Sequence, residues 1–212
     1  MTRVPHRLLL ASIAAATLLS VSACAPLMVG GAAVTSMVAV DRRTSGTQLE
    51  DEGIELRANA RVRDTLGDGV HVNVNSYNRQ VLLTGEVPTD REKRQVEQIV
   101  SRVENVKGIV NELGVMGIST LGQRSSDALV TGKVRASLVD DKELYAGAFR
   151  VVTERGTTYL MGRVTQREAN RATEIARSVG GVQKVVRLFE IITDEELGRI
   201  APDQTKPANQ RR

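Results

Sequence analysis

The segment VLLTGEV at residues 81–87 is repeated, with changes, as TYLMGRV at residues 158–164. Each copy is an apolar run with a glycine at the same place, which predicts a buried β-strand. A stripe of aliphatic residues with helical spacing follows each copy. The stripes are Val96, Ile99, Val100 and Val103 in the first copy, and Ala172, Ile175, Ala176 and Val179 in the second. The chain therefore contains an internal repeat of one structural unit.

Each copy predicts the order helix, strand, strand, helix, strand. The first helix covers about 50–66 in the first unit, and its last strand covers about 109–116. We align the first helices by their apolar residues, which places Ala58, Val62 and Leu66 on Val130, Val134 and Leu138. The predicted fold class is α+β, with two tandem αββαβ units, each a three-stranded mixed sheet covered by two helices.

Three glycines have predicted structural roles. Gly85 and Gly162 lie inside the second strand of each unit, where glycine weakens a strand unless a helix or another backbone comes close. We interpret both as sites of close helix packing. Gly181 precedes the last strand of the second unit, and the first unit has Asn105 and Val106 where the second has Gly181 and Val182.

The amino terminus predicts an export signal. A basic start is followed by an uncharged run over 8–23, which is shorter than the ~20 residues needed to span a bilayer. The run ends at Cys24, the only cysteine of the chain. Val21-Ser22-Ala23-Cys24 resembles the bacterial lipobox, whose cysteine is acylated and becomes the first mature residue. The alternative is an ordinary signal peptide cleaved after Ala23.

The residue after Cys24 is Ala25, not the aspartate of an inner-membrane retention signal. The resemblance to lipoproteins therefore implies an outer-membrane location, with the protein lipid-anchored and facing the periplasm. We predict a signal peptide at 1–23 and a lipidated tether at 24–46. The polar, proline-containing tail at 193–212 is expected to be disordered.

The repeated unit resembles the BON domain, through its strand glycine, the Gly-x-Val sequence around it, the aliphatic helix and Gly181-Val182. Two such units behind a lipobox resemble the dual-BON outer-membrane lipoproteins. The resemblance places the domains at 47–118 and 125–192, with a linker at 119–124. It implies a protein that binds anionic phospholipid of the phosphatidylglycerol type through its second domain and supports envelope integrity, with enrichment at division sites.

The two units differ in charge. Residues 47–118 contain 9 Lys and Arg against 12 Asp and Glu, whereas residues 125–192 contain 11 against 8, so the units carry −3 and +3. A basic group near anionic lipid gains ~1 kcal/mol per Lys or Arg, and an acidic unit is repelled. The charge difference therefore favours the second unit as the membrane-facing one.

The first helix of the second unit has an apolar stripe beside its core face, where the first unit has Arg57, Ala60, Arg61 and Asp64. Such a helix can lie in the headgroup region of a bilayer. The predicted phospholipid-binding residues are Leu129, Val130, Gly132, Lys133, Arg135, Ala136 and Val139. Two alternatives are that this stripe packs against the first unit or the tether, and that it is surface without a role.

The composition offers little for catalysis. Two histidines, one cysteine and five aromatic residues supply neither a thiolate or imidazole metal cluster nor a stacking surface for nucleic acid. His71 is interpreted as solvated or hydrogen-bonded, and Asp140, Asp141 and Glu143 as a polar loop. We therefore predict a non-enzymatic protein without cofactor, metal or nucleic-acid partner. The alternative function is an adaptor for outer-membrane assembly or cell-wall remodelling proteins.

Overall fold

The computed structural model describes residues 41–204 of the 212-residue chain. Both units have the predicted order of elements, and the α+β fold class is confirmed. The elements of the first domain are α1 Ser45–Leu66, β1 His71–Tyr77, β2 Gln80–Val87, α2 Asp90–Ser101, β3 Gly108–Asn111 and β4 Gly114–Val115. Those of the second are α3 Leu121–Asp140, β5 Phe149–Glu154, β6 Thr157–Val164, α4 Gln166–Ser178 and β7 Lys184–Ile191, followed by a last helix, α5 Asp194–Ile200.

Each domain contains a mixed sheet with the second strand at its centre. In the first domain β2 pairs antiparallel with β1 and parallel with β3, and in the second β6 pairs in the same way with β5 and β7. The last strand predicted over 109–116 is divided, because buried Leu113 interrupts it between β3 and β4. At this break between β3 and β4, the side-chain oxygen of Asn111 accepts a hydrogen bond from the N–H of Leu113.

An aspartate on the first helix of each domain, buried in the first and half-buried in the second, binds the hairpin turn between the two strands that follow. Asp51 accepts hydrogen bonds from the N–H groups of Asn78 and Arg79, and Asp127 accepts them from Arg155 and Gly156. Both turns have two consecutive residues with positive φ, as two-residue hairpins require. Because the two aspartates make the same contacts with equivalent turns, they define the structural alignment of α1 with α3.

The helix alignment made from the sequence is wrong by one turn. The aspartates place the buried residues Ile54, Ala58 and Val62 of α1 on Val130, Val134 and Leu138 of α3. The sequence alignment failed because Ala58, Val62 and the half-buried Leu66 also have helical spacing, so the apolar pattern alone does not distinguish successive turns.

The strand glycines approach a backbone, not a helix as we interpreted. A Cβ on Gly85, which has φ of +113°, would lie 2.0 Å from the carbonyl oxygen of His71 on the neighbouring strand. A Cβ on Gly162 would lie 2.5 Å from the carbonyl oxygen of Ala148. Gly181 has φ of +103°, and Asn105, its counterpart, has φ of +66°. Asparagine tolerates this conformation, so the same turn forms in both domains.

The two sheets pack against each other through the faces that their own helices leave open. Their contact buries a cluster of apolar side chains from both domains, formed by Tyr77, Leu82, Tyr159 and Met161 with Val110, Val152, Val186 and Leu188 at its edge. The hydroxyl of Tyr77 donates a hydrogen bond to the carbonyl of Ala148 across the contact. The domains are therefore joined by a sheet-to-sheet interface, and Glu55 of α1 adds an ion pair to Arg150 of β5 at 2.8 Å.

The domain boundaries differ from the sequence prediction at three places. Residues 41–43, expected in the tether, bind the folded part of the chain, and the buried guanidinium of Arg42 forms a bidentate ion pair with Glu168. The expected linker at 119–124 contains the N-cap and first turn of α3. The tail is not disordered throughout, because Leu197 of α5 and Ala201 just after it are buried beside Ile192, and Gln204 accepts a hydrogen bond from Arg42.

Candidate membrane-contact surface

Helix α3 presents most of the predicted phospholipid-binding residues to solvent. Thr120 and Gln123 form a capping box at its start, which satisfies backbone N–H groups of the first turn. The side chains of Leu129 and Val139 are 68% and 59% exposed. Gly132, Lys133, Arg135 and Ala136 are exposed as well. We call these six residues the α3 face.

Val130 does not belong to the α3 face, and its assignment to lipid binding was wrong. Its side chain is 6% exposed and packs in the core of the second domain. Gly181 lies so close that a Cβ there would come within 2.6 Å of a Val130 methyl group. Val130 therefore positions α3 on the sheet and is not available to a ligand.

The α3 face carries positive charge and contains no acidic side chain of its own. Lys133 forms no ion pair in the described chain, and Arg135 donates one hydrogen bond, to the carbonyl of Val151. Between Asp127 and Asp140 the helix contains no acidic residue, and Asp127 is occupied by the hairpin turn. The result is an exposed surface with apolar side chains at its centre and unneutralised cations at its edge.

A groove of about 620 Å³ runs beside the α3 face and contains side chains that the sequence did not indicate. Arg135 lies on one side of it, and Arg43 and Arg150 reach it from the first-domain side and from β5. Burial opposes the charge of Arg43, but hydrogen bonds to Asp41 and Asp51 raise its pKa, and its guanidinium lies 4.3 Å from the Tyr77 ring centroid. These arginines come together only through the fold.

Helix α1 also exposes leucines. The helix alignment made from the sequence did not indicate them, because it was shifted by one turn. Leu49 and Leu56 are 69% and 73% exposed, one on each side of the exposed Glu52. The nearby cation Arg57 is paired with Glu50 at 2.8 Å. The first domain therefore has an apolar helix surface too, but one that contains an acidic residue and whose arginine is neutralised.

Leu129 and Val139 remain 68% and 59% exposed, so in the described chain these apolar residues are not buried against the first domain, as one alternative had it. Packing against the tether concerns residues outside the described range, as does the acylation of Cys24, which stays a prediction. In that range no helix is both long enough and apolar enough to cross a membrane.

The acidic loop after α3 is a polar loop, as we interpreted it. Asp141 accepts hydrogen bonds from the N–H groups of Glu143 and Leu144 and from Arg171. Partial burial opposes its ionisation, but these hydrogen bonds and the Arg171 charge lower the pKa of Asp141. The carboxylate is therefore already satisfied.

His71 is hydrogen-bonded rather than free. Its Nδ1 lies 2.8 Å from a carboxylate oxygen of Glu86, whose side chain is fully buried. Glu86 also accepts hydrogen bonds from Ser119 and from Arg155 of the second domain. Burial alone would raise the pKa of Glu86, but these hydrogen bonds lower it to about 2.

Comparison with known proteins identifies both units. The BON domain model matches residues 51–117 and 126–193. The chain is 37% identical over 172 residues to "Outer membrane lipoprotein DolP" of Haemophilus influenzae, covering 80% of this chain and 89% of that protein. It is 33% identical to "21 kDa hemolysin" of Actinobacillus pleuropneumoniae, over 72% of this chain and 80% of the relative. It is also 24% identical to "Osmotically-inducible protein Y" of Escherichia coli, over 66% and 72%.

These relationships bear on the location and on the fold. The relationship to an outer-membrane lipoprotein over most of both chains confirms the predicted location, a lipoprotein of the outer membrane. Each matched segment covers one αββαβ unit of the structure. It includes the hairpin turn and the first-helix aspartate that binds this turn. This chain, with one BON domain in each of its units, belongs to the BON domain family.

Proposed function

We propose that the protein is a non-catalytic membrane-associated module whose second domain binds anionic phospholipid through the α3 face, while acylated Cys24 anchors it to the outer membrane. The observation that carries the proposal is the exposure of Leu129 and Val139 beside Lys133 and Arg135, with no acidic residue among them. This combination of apolar and basic side chains is typical of helices that lie in the headgroup region.

The contact on its own is expected to be weak. Full burial of a leucine contributes about 2 kcal/mol, and each cation close to anionic lipid contributes about 1 kcal/mol. Once an acyl anchor holds the protein on the membrane, the contact between the α3 face and lipid is intramolecular, and the effective lipid concentration at that face is higher. The anchor therefore supplies affinity, and the α3 face supplies orientation and preference for anionic headgroups. Enrichment at anionic division sites and support of envelope integrity would follow from that preference.

The test is co-sedimentation of the non-acylated full chain with liposomes of phosphatidylglycerol and phosphatidylcholine. Leu129→Glu removes apolar area from the α3 face and adds a repelled charge, so we expect at least a tenfold weaker association with phosphatidylglycerol vesicles. Leu56→Glu is the matched control, because it makes the same change at an equally exposed leucine of α1.

The wild-type chain is expected to prefer phosphatidylglycerol over phosphatidylcholine. Circular dichroism of both variants should show intact folding, since both side chains lie outside the cores. Equal vesicle binding by Leu129→Glu and the wild-type chain would contradict the lipid proposal. Loss of binding in Leu56→Glu alone would move the membrane surface to the first domain.

A second candidate function, a protein-binding adaptor, is favoured by the exposed Leu49 and Leu56 of α1. They belong to the acidic domain, which anionic lipid repels, so a protein partner fits this surface better than a membrane. The partner class is the outer-membrane assembly or cell-wall remodelling proteins. A photo-crosslinking residue at position 56 should give protein adducts in cells, and one at position 129 should give lipid adducts. Protein adducts at position 129 alone would contradict this division of roles.

A further inference from the structure

We propose that the boundary between the two domains holds a binding site for a divalent transition metal of the Zn²⁺ type. Its ligands are the Nε2 of His71, the side-chain oxygen of Asn73 and the carboxylate of Glu154, and Glu86 positions the histidine. His71 and Asn73 lie on β1 of the first domain, whereas Glu154 ends β5 of the second. The site would therefore link the domains.

The candidate ligands already lie close together. Donor atoms of His71, Glu86 and Glu154 are all within 4.8 Å of one another. Strand pairing places His71 opposite Glu86, and the same sheet face continues to Asn73. Glu154, with 4% of its surface exposed, reaches this face from the second domain and accepts a hydrogen bond from Asn73.

Glu86 prepares His71 for metal binding. A carboxylate accepts a hydrogen bond from the Nδ1–H of His71 at 2.8 Å, which leaves the lone pair of Nε2 available. Histidines that bind metals are commonly held by a carboxylate in this way. Arg155 and Ser119 hold Glu86 in place, so the orientation of the imidazole is fixed before any ion arrives.

The side chain of Asn73 marks the place of the ion. Its amide nitrogen lies 2.9 Å from a Glu154 oxygen and 3.4 Å from His71 Nε2, so two acceptors converge on one point. Rotation of the amide by half a turn would exchange its nitrogen for its oxygen, and an ion lying between that oxygen, the Glu154 carboxylate and His71 Nε2 would have one nitrogen and two oxygen donors. Asn73 is exposed, which gives an ion access from solvent.

A buried hydroxyl supports the assignment independently. The Oγ of Thr84 is buried and has no hydrogen-bond partner. Thr84 pairs with Asn73 across the strands, two residues before Glu86, so it lies on the same sheet face as the proposed ligands. Buried hydroxyls are normally satisfied, and a water bound to the metal would satisfy this one.

Charge and ligand type favour Zn²⁺ over Mg²⁺ or Ca²⁺. Glu86 and Glu154 carry two negative charges against the single positive charge of Arg155, so the cluster can accept a cation. An imidazole ligand suits zinc and related transition metals, whereas Mg²⁺ and Ca²⁺ prefer sets made only of oxygen.

The test is isothermal titration of the metal-free, non-acylated full chain with ZnCl₂. We expect one strong site per chain and at least a tenfold loss of affinity in His71→Gln and in Glu154→Gln. Both substitutions preserve size and a hydrogen-bonding group. Glu143→Gln is the matched control, because it makes the same change at a carboxylate outside the site, and it should bind zinc like the wild-type chain.

Nitrogen NMR of the imidazoles gives a second readout that does not depend on affinity. Zinc should shift the Nε2 resonance of His71 and leave its Nδ1 resonance nearly unchanged, and Glu154→Gln should reduce that shift. The proposal is overturned if the wild-type chain binds no zinc at 100-fold excess, if His71→Gln and Glu154→Gln bind as tightly as Glu143→Gln, or if the ion shifts Nδ1 instead.

Discussion

Helices α1 and α3 are the same element in two domains, yet they differ in the surface that they offer. Both bury three apolar residues, and both use an aspartate to bind a hairpin turn. On the exposed side α1 combines Leu56 with Glu52, whereas α3 combines Leu129 with the unpaired Lys133. The buried side of the helix is thus set by the fold, and the exposed side is free to specialise. Three matched pairs of substitutions and one change at Glu86 test this comparison of the two domains.

The largest effect is expected from alanine at the strand glycines. Gly85→Ala would place a methyl group against the carbonyl oxygen of His71 and force φ of +113° on a residue with a Cβ. We expect a loss of about 4 kcal/mol in the free energy of unfolding. Gly162→Ala meets a carbonyl at 2.5 Å without a left-handed φ, so about 2 kcal/mol is expected. Urea unfolding measures both, and equal losses would contradict the role given to φ.

The next effect concerns the aspartates that bind the hairpin turns. Asp51 is 1% exposed and accepts hydrogen bonds from two backbone N–H groups, Ser76 and Arg43, so Asp51→Ala is expected to cost about 3 kcal/mol. Asp127 is less buried and binds only the two backbone groups, so Asp127→Ala should cost about half as much. The measurement is the urea midpoint at constant m value. A larger loss in Asp127→Ala would reverse the ranking.

A smaller effect is expected from acid. Glu86 has a pKa of about 2, below its ordinary value of 4.5, so its contribution to stability is complete above pH 4.5 and is lost as the pH falls towards 2. We expect about 2 kcal/mol of acid-dependent stability from this group, after allowance for screening near the partly exposed Arg155. In Glu86→Gln the unfolding free energy should fall less steeply over this range. An unchanged slope in thermal or urea unfolding would remove Glu86 from the acid response.

The smallest effect concerns a single charge on each helix. Lys133→Gln removes an unpaired cation beside the α3 face, which should weaken binding to phosphatidylglycerol vesicles by about 1 kcal/mol, or roughly fivefold. Arg57→Gln removes a cation that is paired with Glu50, and no change in vesicle binding is expected. Co-sedimentation at low salt measures both. Equal losses would mean that net charge, and not the α3 face, directs the protein to lipid.

Much of the fold could be predicted because both copies of the repeat contain clear periodic patterns of aliphatic residues. The strands around Gly85 and Gly162 and the stripe that starts at Val96 identified the elements, since buried strands and amphipathic helices have distinct periods. The alignment of α1 with α3 failed because several turns of α1 carry small apolar residues at the same spacing. The correct register depends on Asp51 and Asp127, whose contacts with the hairpin turns are not visible in an apolar pattern.

The candidate surface was predicted in part. Leu129, Lys133 and Val139 are exposed as expected, because they lie outside the buried stripe of their helix. The groove arginines Arg43 and Arg150 could not be predicted, since they approach α3 only after the sheets have packed together. The same is true of the contact between Asn73 and Glu154, which are 81 residues apart in sequence.

The buried ion pair of Arg42 has a mechanical consequence. Its guanidinium binds Glu168 with two hydrogen bonds, a third goes to Gln204 and a fourth to the carbonyl of Arg163. A pull on the amino-terminal end of the described chain therefore loads the second domain first, through bonds that must break together. Helix α1 begins only three residues after Arg42 and is shielded from that tension until the four hydrogen bonds of the Arg42 guanidinium break.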